Sequence, residues 1–301
     1  MNAYALWLLT RRNLKIFLKD KANVFFSLLA PLIVLALYVL FLGRLQEDGL
    51  LSALEGMGVT GAEGLISDFS DSWMLAGCMS CACITVPLCA CGIMIQDKTR
   101  GISSDLFISP VARWVTPAAY FCSVVAAGLV IGAVVLCVCF VWLAAAGAWL
   151  LSFRDVLGCI ASLVLSVVSS STLLVFVVGF FRSQGAFTAL NVIFGTVVGF
   201  LIGAYMPITY FPEAIQQFTF FLPGSYTAGL FRNFMMRGPL AEIAGLSPAF
   251  AQGLESEFSL TFDFFGAEVG IGDMFLALAV AAVLFAALNV LVAVLRRRKK
   301  S

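Results

Sequence analysis

The side chains with the most reactive chemistry in this sequence are nine cysteines, and the sequence contains no histidine. All nine lie in apolar stretches: Cys78, Cys81, Cys83, Cys89, Cys91, Cys122, Cys137, Cys139 and Cys159. Cys78, Cys81 and Cys83 are close enough in sequence to offer thiolates to a metal ion, but an apolar setting disfavours the ionised thiolate. Packing by soft, small side chains is the favoured interpretation, and no metal site is expected.

Several kinds of catalytic or energy-coupling site are excluded. Without histidine there is no His-based metal site, catalytic triad or proton relay. The G-x-x-x-x-G-K-[ST] loop that would hold the phosphates of ATP is also missing, so any ATP must be bound by another polypeptide. The long apolar stretches contain no Asp, Glu, Lys or Arg except Arg182, in a turn, and Asp273, at the start of the last stretch. That argues against an ion relay, although backbone carbonyls could still bind sodium.

The polar segment from Ile95 to Val115 (IQDKTRGISSDLFISPVARWV) is the most informative part of the sequence. It predicts two short helical pieces separated by a glycine, with a Ser-Pro stop before the next apolar stretch. It is either an ordinary solvated connector or a docking element whose charges and apolar knobs fit a partner. The candidate docking residues are Asp97, Lys98, Arg100, Gly101, Asp105, Leu106, Ser109, Pro110 and Arg113.

The composition is that of an integral membrane protein. Of 301 residues, 61% are hydrophobic and 12% are charged, and the mean hydropathy is +1.03. Soluble domains carry roughly 25% charged residues, because water rather than lipid surrounds them. We therefore expect an all-α membrane protein that forms a single transmembrane domain over residues 1–301.

Hydropathy and turn signals predict six membrane-spanning helices. Their predicted bounds are 22–43, 73–95, 117–150, 156–181, 186–206 and 271–295, and residues 96–116 form the polar loop between the second and third. Residues 4–21 precede them as an amphipathic helix with Arg11, Arg12, Lys15 and Lys19 on one face, which is typical of a helix lying in the membrane interface.

The stretch 211–234 is apolar enough to suggest a seventh span, but Glu213 and the pair Pro223–Gly224 interrupt it. We expect instead a re-entrant helical hairpin in the outer leaflet, with its backbone covered by protein. An even number of spans also keeps both ends of the chain on the same side. Residues 237–270 are then expected to form an outer loop.

The charges define one orientation. With six spans, the segments assigned to the inside contain 14 Lys and Arg and 3 Asp and Glu, whereas those assigned outside contain 4 and 14. Because Lys and Arg concentrate on the cytoplasmic side, both termini are expected in the cytoplasm of a multi-pass protein of the plasma (inner) membrane.

A stripe of small residues suggests a helix-packing surface in the fifth span. Asn191, Gly195, Gly199 and Gly203 recur every four residues, a spacing that lets helix backbones approach closely. The stripe could pair two copies of the chain or pack within one copy.

The polar segment resembles the coupling helix of permeases in the ATP-binding-cassette (ABC) type 2 exporter family. The residues that carry this resemblance are Asp97, Lys98, Arg100–Gly101, Asp105–Leu106, Ser109–Pro110–Val111 and Arg113. A second match is the L-P-x-x-Y motif of the hairpin with its following arginine, here Leu222, Pro223, Tyr226 and Arg232. A third match to the family is the basic helix that precedes a proline-containing first span. The sequence departs from the family's pattern at two places. Ile102 stands where the family favours Thr or Ser, and the second span is unusually rich in cysteine.

The resemblance implies a half-transporter that pairs with an identical or a different permease, giving twelve spans, and that docks an ABC ATPase subunit carrying ATP and magnesium. This chain would then hold no cofactor, would not itself be an enzyme, and would contact membrane lipid but no nucleic acid. Asp97, Arg100, Asp105 and Leu106 would be the docking residues. Because the second and fifth spans line the route in similar permeases, Met79, Phe187 and Phe194 are pathway candidates.

An amphiphilic drug, lipid or peptide would suit an apolar route without fixed charge. Two other functions remain open from the residues alone. A stand-alone carrier or channel would transport without an ATPase, and a non-transporting scaffold would bind partners without moving cargo.

Overall fold

The computed structural model describes residues 2–56, 62–109, 111–260, 262–264 and 267–298. In this part of the chain, six helices are long and apolar enough to cross a membrane, which confirms the predicted number. They are Leu29–Gly56, Glu63–Thr99, Val115–Ala146, Phe153–Val178, Gln184–Leu201 and Ile271–Val294. The described part of the chain is therefore that of an all-α membrane protein, apart from one short two-stranded ribbon.

The chain up to the end of the first span is assembled from several helical pieces. Helix α1 (Asn2–Lys19) is followed by α2 (Lys21–Ser27), α3 (Leu29–Leu37), a π-helical turn (Tyr38–Leu42) and α4 (Gly43–Gly56). The Asp20 carboxylate caps α2 by accepting from the Asn23 amide at 3.1 Å. The break between α2 and α3 falls at Leu28, so Pro31 lies in the first turn of α3, where a missing N–H costs little.

The second span is the central helix of the molecule. It consists of α5 (Glu63–Ala90) and α6 (Gly92–Thr99), and every residue from 72 to 95 is buried. A helix that is apolar on all sides is stable only when other helices surround it. Here α2, α3, α4, α8, α9, α10 and α12 all pack against α5.

The remaining long helices enclose α5. A short helix, α7 (Ile102–Ile108), leads into α8 (Val115–Ala146), and α9 (Phe153–Val178), α10 (Gln184–Leu201) and α15 (Ile271–Arg298) follow. A capping box, in which Ser152 and Asp155 exchange hydrogen bonds, starts α9. Asn289 of α15 donates to the Thr172 carbonyl of α9 at 2.9 Å, which joins those two helices inside the apolar layer.

The segments between the fifth and sixth spans are mostly helical. A 3₁₀ turn (Ile208–Tyr210) precedes α11 (Glu213–Thr219), α12 (Pro223–Met235), α13 (Arg237–Leu246) and α14 (Pro248–Glu257), and strands β1 (Phe262–Phe264) and β2 (Ala267–Val269) pair antiparallel before α15.

Residues 237–270 were expected to form an outer loop, but α13 and α14 in this range instead build a small cap together with α4 and the first part of α5. Leu54, Ile66 and Trp73 from α4 and α5 share one buried cluster with Ile243 and Leu254 from α13 and α14. Burial of these apolar side chains is what holds the polar, glycine-rich sequence in helical form. We refer to this end of the bundle as the cap end, and to the opposite end, where α6 and α7 lie, as the basal end.

Candidate functional site

The predicted docking residue Asp97 is buried inside the basal end. Only 3% of its surface is exposed. Arg12 of α1 donates two hydrogen bonds to the Asp97 carboxylate, from Nη1 to Oδ2 at 2.7 Å and from Nη2 to Oδ1 at 3.0 Å. The Tyr120 hydroxyl of α8 donates to Oδ2 at 2.6 Å. Asp97 is therefore not an exposed docking contact but the centre of a joint between α1, α6 and α8.

Arg12 was expected on the basic face of α1, toward lipid headgroups, and it points instead toward Asp97. The hydrogen bonds with that carboxylate are the main reason why the pKa of Arg12 is raised above its ordinary value, since they favour the charged guanidinium. Its neighbour Arg11 keeps an exposed position and stacks over the Trp7 ring, 5.2 Å from the centroid. The charged and apolar faces of α1 are thus less cleanly separated than the sequence suggests.

Lys98 makes a second connection at the basal end. Its Nζ donates to the carbonyls of Gly179 at 3.2 Å and Phe181 at 3.3 Å, which lie at and just beyond the end of α9. A cation at a helix C-terminus satisfies carbonyls that have no partner within the helix and complements the helix dipole. Lys98 therefore joins α6 to α9 and is engaged within the chain rather than held out for a partner.

The exposed face of the segment lies farther along. Arg100, Gly101, Asp105 and Arg113 are exposed, and Leu106 and Ser109 are half-buried. Gly101 has φ +79°, a left-handed conformation that lets the chain turn sharply between α6 and α7. Ile108 shows 84% of its surface. Pro110 lies outside the described residues.

One cavity of about 190 Å³ lies between the second, fourth and fifth spans and the start of α12. Its lining is apolar apart from Ser170, and consists of Ile84, Ser170, Leu173, Leu174, Ile193, Phe194, Val197, Val198, Leu201, Ile202, Leu222, Pro223 and Gly224. Of the predicted pathway residues, Phe194 lines this cavity. Met79 and Phe187 do not; both are buried among packed side chains.

The hairpin motif is divided between this cavity and a buried guanidinium. Leu222 and Pro223 face the cavity, and Tyr226 packs against the adjoining core. Arg232 is fully buried and donates through Nη2 to the carbonyls of Gly203 at 2.6 Å and Ile202 at 3.2 Å. Its Nη1 reaches the carbonyl of Phe258 at 3.4 Å. Arg232 thus ties α12 to the end of α10 and to the end of α14.

The predicted glycine stripe does not run the length of the fifth span. Helix α10 ends at Leu201, and Gly203 follows it with φ +72°, so it closes the helix instead of continuing the stripe. A Cβ on Gly199 would meet the Tyr205 ring of the same chain, whereas a Cβ on Gly195 would meet nothing within 4 Å. Asn191 accepts from the Cys89 thiol at 3.6 Å. The four residues therefore have different surroundings.

The cysteines are unpaired thiols, and most are buried. Within the described ranges, no group of three Cys, Asp or Glu side chains is arranged to hold a metal ion. Cys78 donates to the Pro31 carbonyl at 3.5 Å, and the Thr85 hydroxyl donates to the Ser27 carbonyl at 2.7 Å. These small polar groups of α5 bind backbone oxygens around the break between α2 and α3.

Comparison with curated proteins finds no match to the chain. The family model of the ABC-2 type transporter matches residues 4–236, a range that contains the Asp97 joint, the exposed basal turn, the cavity and the whole hairpin motif. This match covers well over half of the chain. The chain therefore belongs to the ABC-2 type transporter family, and it is a permease subunit, the membrane component of an ABC transporter rather than its ATPase.

Proposed function

We propose that the chain is half of an export permease, with both termini and the basal end in the cytoplasm and the cap end outside. In this proposal a separate ABC ATPase subunit, which binds ATP and magnesium, docks on the basal end. The charge asymmetry of the sequence supports this orientation, because the basal segments carry most of the Lys and Arg.

The observation that carries the proposal is the contrast between the two faces of the basal segment. Toward solvent it presents Arg100, Asp105 and Arg113, with Leu106 half-exposed between them. Toward the bundle it is held by the bonds of Asp97 and Lys98 to α1, α8 and α9. Force crosses an interface only through an element that contacts the partner and is joined rigidly to the helices that must move. This segment has an exposed face for a partner and is bonded to the helices of the bundle.

Pairing with a second permease protomer through the fifth span fits the surface of α10. Most of this helix is exposed in the single chain, whereas residues 72–90 of α5 are all buried. Val192, Ile193 and Val197 are exposed on it, and Gly195 has open space above its backbone. A glycine with such space lets another helix approach closely.

The cargo we propose is an amphiphile with a substantial apolar part. The cavity beside Phe194 offers hydrocarbon contact and a single hydroxyl, from Ser170. Such a lining favours an aliphatic or aromatic group over a bare ion or a sugar, because buried polar groups need partners that this cavity does not offer.

The test is charge reversal at the basal turn, Arg100→Glu combined with Asp105→Arg, in the permease co-expressed with its ATPase. We expect normal membrane insertion but loss of export, and at least about tenfold weaker ATPase binding, since like charges across an interface cost several kcal/mol. The matched control is Arg154→Glu with Glu242→Arg, two exposed residues at the cap end, which should leave both properties unchanged. Normal export by the basal variant would refute the docking proposal.

A further inference from the structure

The apolar cavity beside Phe194 has one polar side chain among the described residues that line it, Ser170 of α9. Ser170 is 5% exposed, and its hydroxyl makes no hydrogen bond within the described part of the chain. A serine or threonine inside a helix commonly donates to a carbonyl of the preceding turn, as Ser80 and Thr172 do here. The Ser170 hydroxyl therefore remains available to a molecule in the cavity.

The neighbouring serines show that this access to the cavity is specific to one position. Ser169 and Ser171 are fully buried, their hydroxyls are sealed among packed atoms, and neither residue lines the cavity. Small residues such as these let helices approach closely. The Ser170 oxygen reaches open space instead, on a wall that is otherwise apolar. A hydroxyl at that point is unfavourable unless the occupant of the cavity bonds to it.

The size of the cavity restricts its occupant to one ring. Its volume is about 190 Å³, whereas an engineered apolar protein cavity of roughly 150 Å³ is enough to bind benzene. The space therefore takes a six-membered aromatic ring with one small substituent and excludes a fused ring system of steroid size. Phe194 on one wall offers such a ring an aromatic contact, and the aliphatic side chains of the other walls offer hydrocarbon.

The cavity opens through the exposed side of α10. Ile193 and Val197, one helical turn apart, both line the cavity and are 56% and 42% exposed. Val198, which also lines it, is buried. An amphiphile can therefore insert a ring past Ile193 and Val197 while the rest of the molecule stays outside. If two chains pair through α10, this opening faces the second protomer.

The lining also limits the polarity of the ring. No described residue that lines the cavity is charged, so a carboxylate or an ammonium group would have no counter-charge there. The Ser170 hydroxyl can donate one hydrogen bond or accept one from the occupant, which is enough for one neutral oxygen substituent. A second polar substituent would be buried without a partner, which is costly.

We propose that this cavity binds a single aromatic ring that carries one hydroxyl group, a phenol, and that Ser170 is the residue that selects the hydroxyl. The phenolic O–H donates to the Ser170 oxygen, and the apolar walls hold the ring. This inference rests on the proposed function, in which the apolar part of the cargo lies in this cavity, and it specifies that part as a phenolic ring rather than plain hydrocarbon.

The experiment measures binding of para-fluorophenol and fluorobenzene to the full-length permease in phosphatidylcholine nanodiscs by fluorine NMR, with empty nanodiscs subtracted. The two probes differ by one hydroxyl group, and para-fluorophenol is neutral at neutral pH, because phenols such as the tyrosine side chain titrate at about pH 10. We expect saturable binding of para-fluorophenol that weakens about three- to tenfold in Ser170→Ala, which corresponds to the loss of one neutral hydrogen bond. Binding of fluorobenzene should be unchanged in the same variant, since it makes no such bond.

Two further variants make the test specific. The matched control Ser169→Ala removes a hydroxyl that does not line the cavity, so it should leave binding of both probes unchanged. Ser170→Leu fills part of the cavity with a side chain of the same kind as its walls, so it should abolish saturable binding of both probes.

The phenol site would be overturned if the wild-type chain showed no saturable binding of para-fluorophenol. It would also be overturned if Ser170→Ala weakened both probes equally or weakened neither. The assay contains no ATPase and no transport step. Binding of para-fluorophenol with the expected response to Ser170→Ala, by a permease whose complex exports no amphiphile, would therefore support the phenol site and count against the export proposal alone.

Discussion

The joint at the basal end can be tested by replacing Asp97 with asparagine. This change keeps the size of the side chain, removes its charge and turns one acceptor into a donor that faces the Arg12 guanidinium. Only 4% of the Asp97 side chain is exposed, compared with 33% of the Arg12 side chain. The structure therefore predicts that the two residues respond differently when either one loses its partner.

The magnitude follows from that difference in exposure. Removing one member of a buried ion pair costs about 3–5 kcal/mol, whereas exposed pairs contribute about 0–1 kcal/mol. Asp97→Asn leaves a guanidinium that can recover water, so we expect a loss of about 2–3 kcal/mol in the free energy of unfolding, between those limits. Arg12→Gln leaves a buried carboxylate with Tyr120 as its remaining donor, and we expect the larger loss, about 3–4 kcal/mol.

The assay is a double-mutant cycle on the purified permease, with unfolding followed in mixed micelles of rising denaturing-detergent content. The double variant should lose less stability than the sum of the single losses, by about 1.5–3 kcal/mol, because the charged hydrogen bonds are counted twice in that sum. Arg11→Gln, one residue away and exposed, should cost less than about 1 kcal/mol. Additive losses at Arg12 and Asp97, within about 0.5 kcal/mol, would refute the joint.

Three further predictions follow from other contacts. Arg232→Met should cost about 3 kcal/mol or more in the free energy of unfolding, because it leaves three buried main-chain carbonyls without their donor, and a smaller loss would contradict the tie between α10 and α12. Asp155→Ala removes the carboxylate of the α9 capping box, in which Ser152 is the N-cap, and should cost about 1–3 kcal/mol, whereas Arg237→Gln, which removes the half-exposed partner of the same ion pair, should cost less than about 1 kcal/mol; equal losses would contradict this difference between the two residues. Phe194→Trp should narrow the cavity and reduce export of bulky amphiphiles more than slender ones, and an unchanged preference across a graded cargo series would exclude Phe194 from the route.

Hydropathy predicted the six apolar helices correctly because lipid imposes a strong composition on each span. The cap was missed, although it leaves a local signal. Ile66, Phe69 and Trp73 recur every three or four residues up to the start of the predicted second span, which is typical of a helix face that packs against other helices. Polarity and glycine content concealed that spacing.

Two parts of the candidate site could not be read from one sequence. Arg12 and Asp97 are 85 residues apart, and nothing local distinguishes an inward carboxylate on α6 from the exposed charges that follow it. Gly203 illustrates a different ambiguity, since glycine suits both a close helix contact and a left-handed helix end. The four-residue spacing favoured a close helix contact. In the structure Gly203 is a left-handed helix end, and its carbonyl accepts a hydrogen bond from the buried Arg232, a contact that only tertiary folding creates.

Stability alone does not explain the buried ion pair at the basal end, because hydrophobic side chains of similar size often give equal or greater stability. An apolar contact between α1, α6 and α8 would tolerate small sliding movements of one helix along another. The two parallel hydrogen bonds from Arg12, with the third from Tyr120, constrain both the register and the rotation of α6 relative to its neighbours. Because α6 continues the central helix, which reaches the cap cluster, we expect a displacement imposed on the basal turn to be passed to the helices around it rather than absorbed at the surface. The polar joint thus serves the proposed coupling through its geometry more than through its contribution to stability.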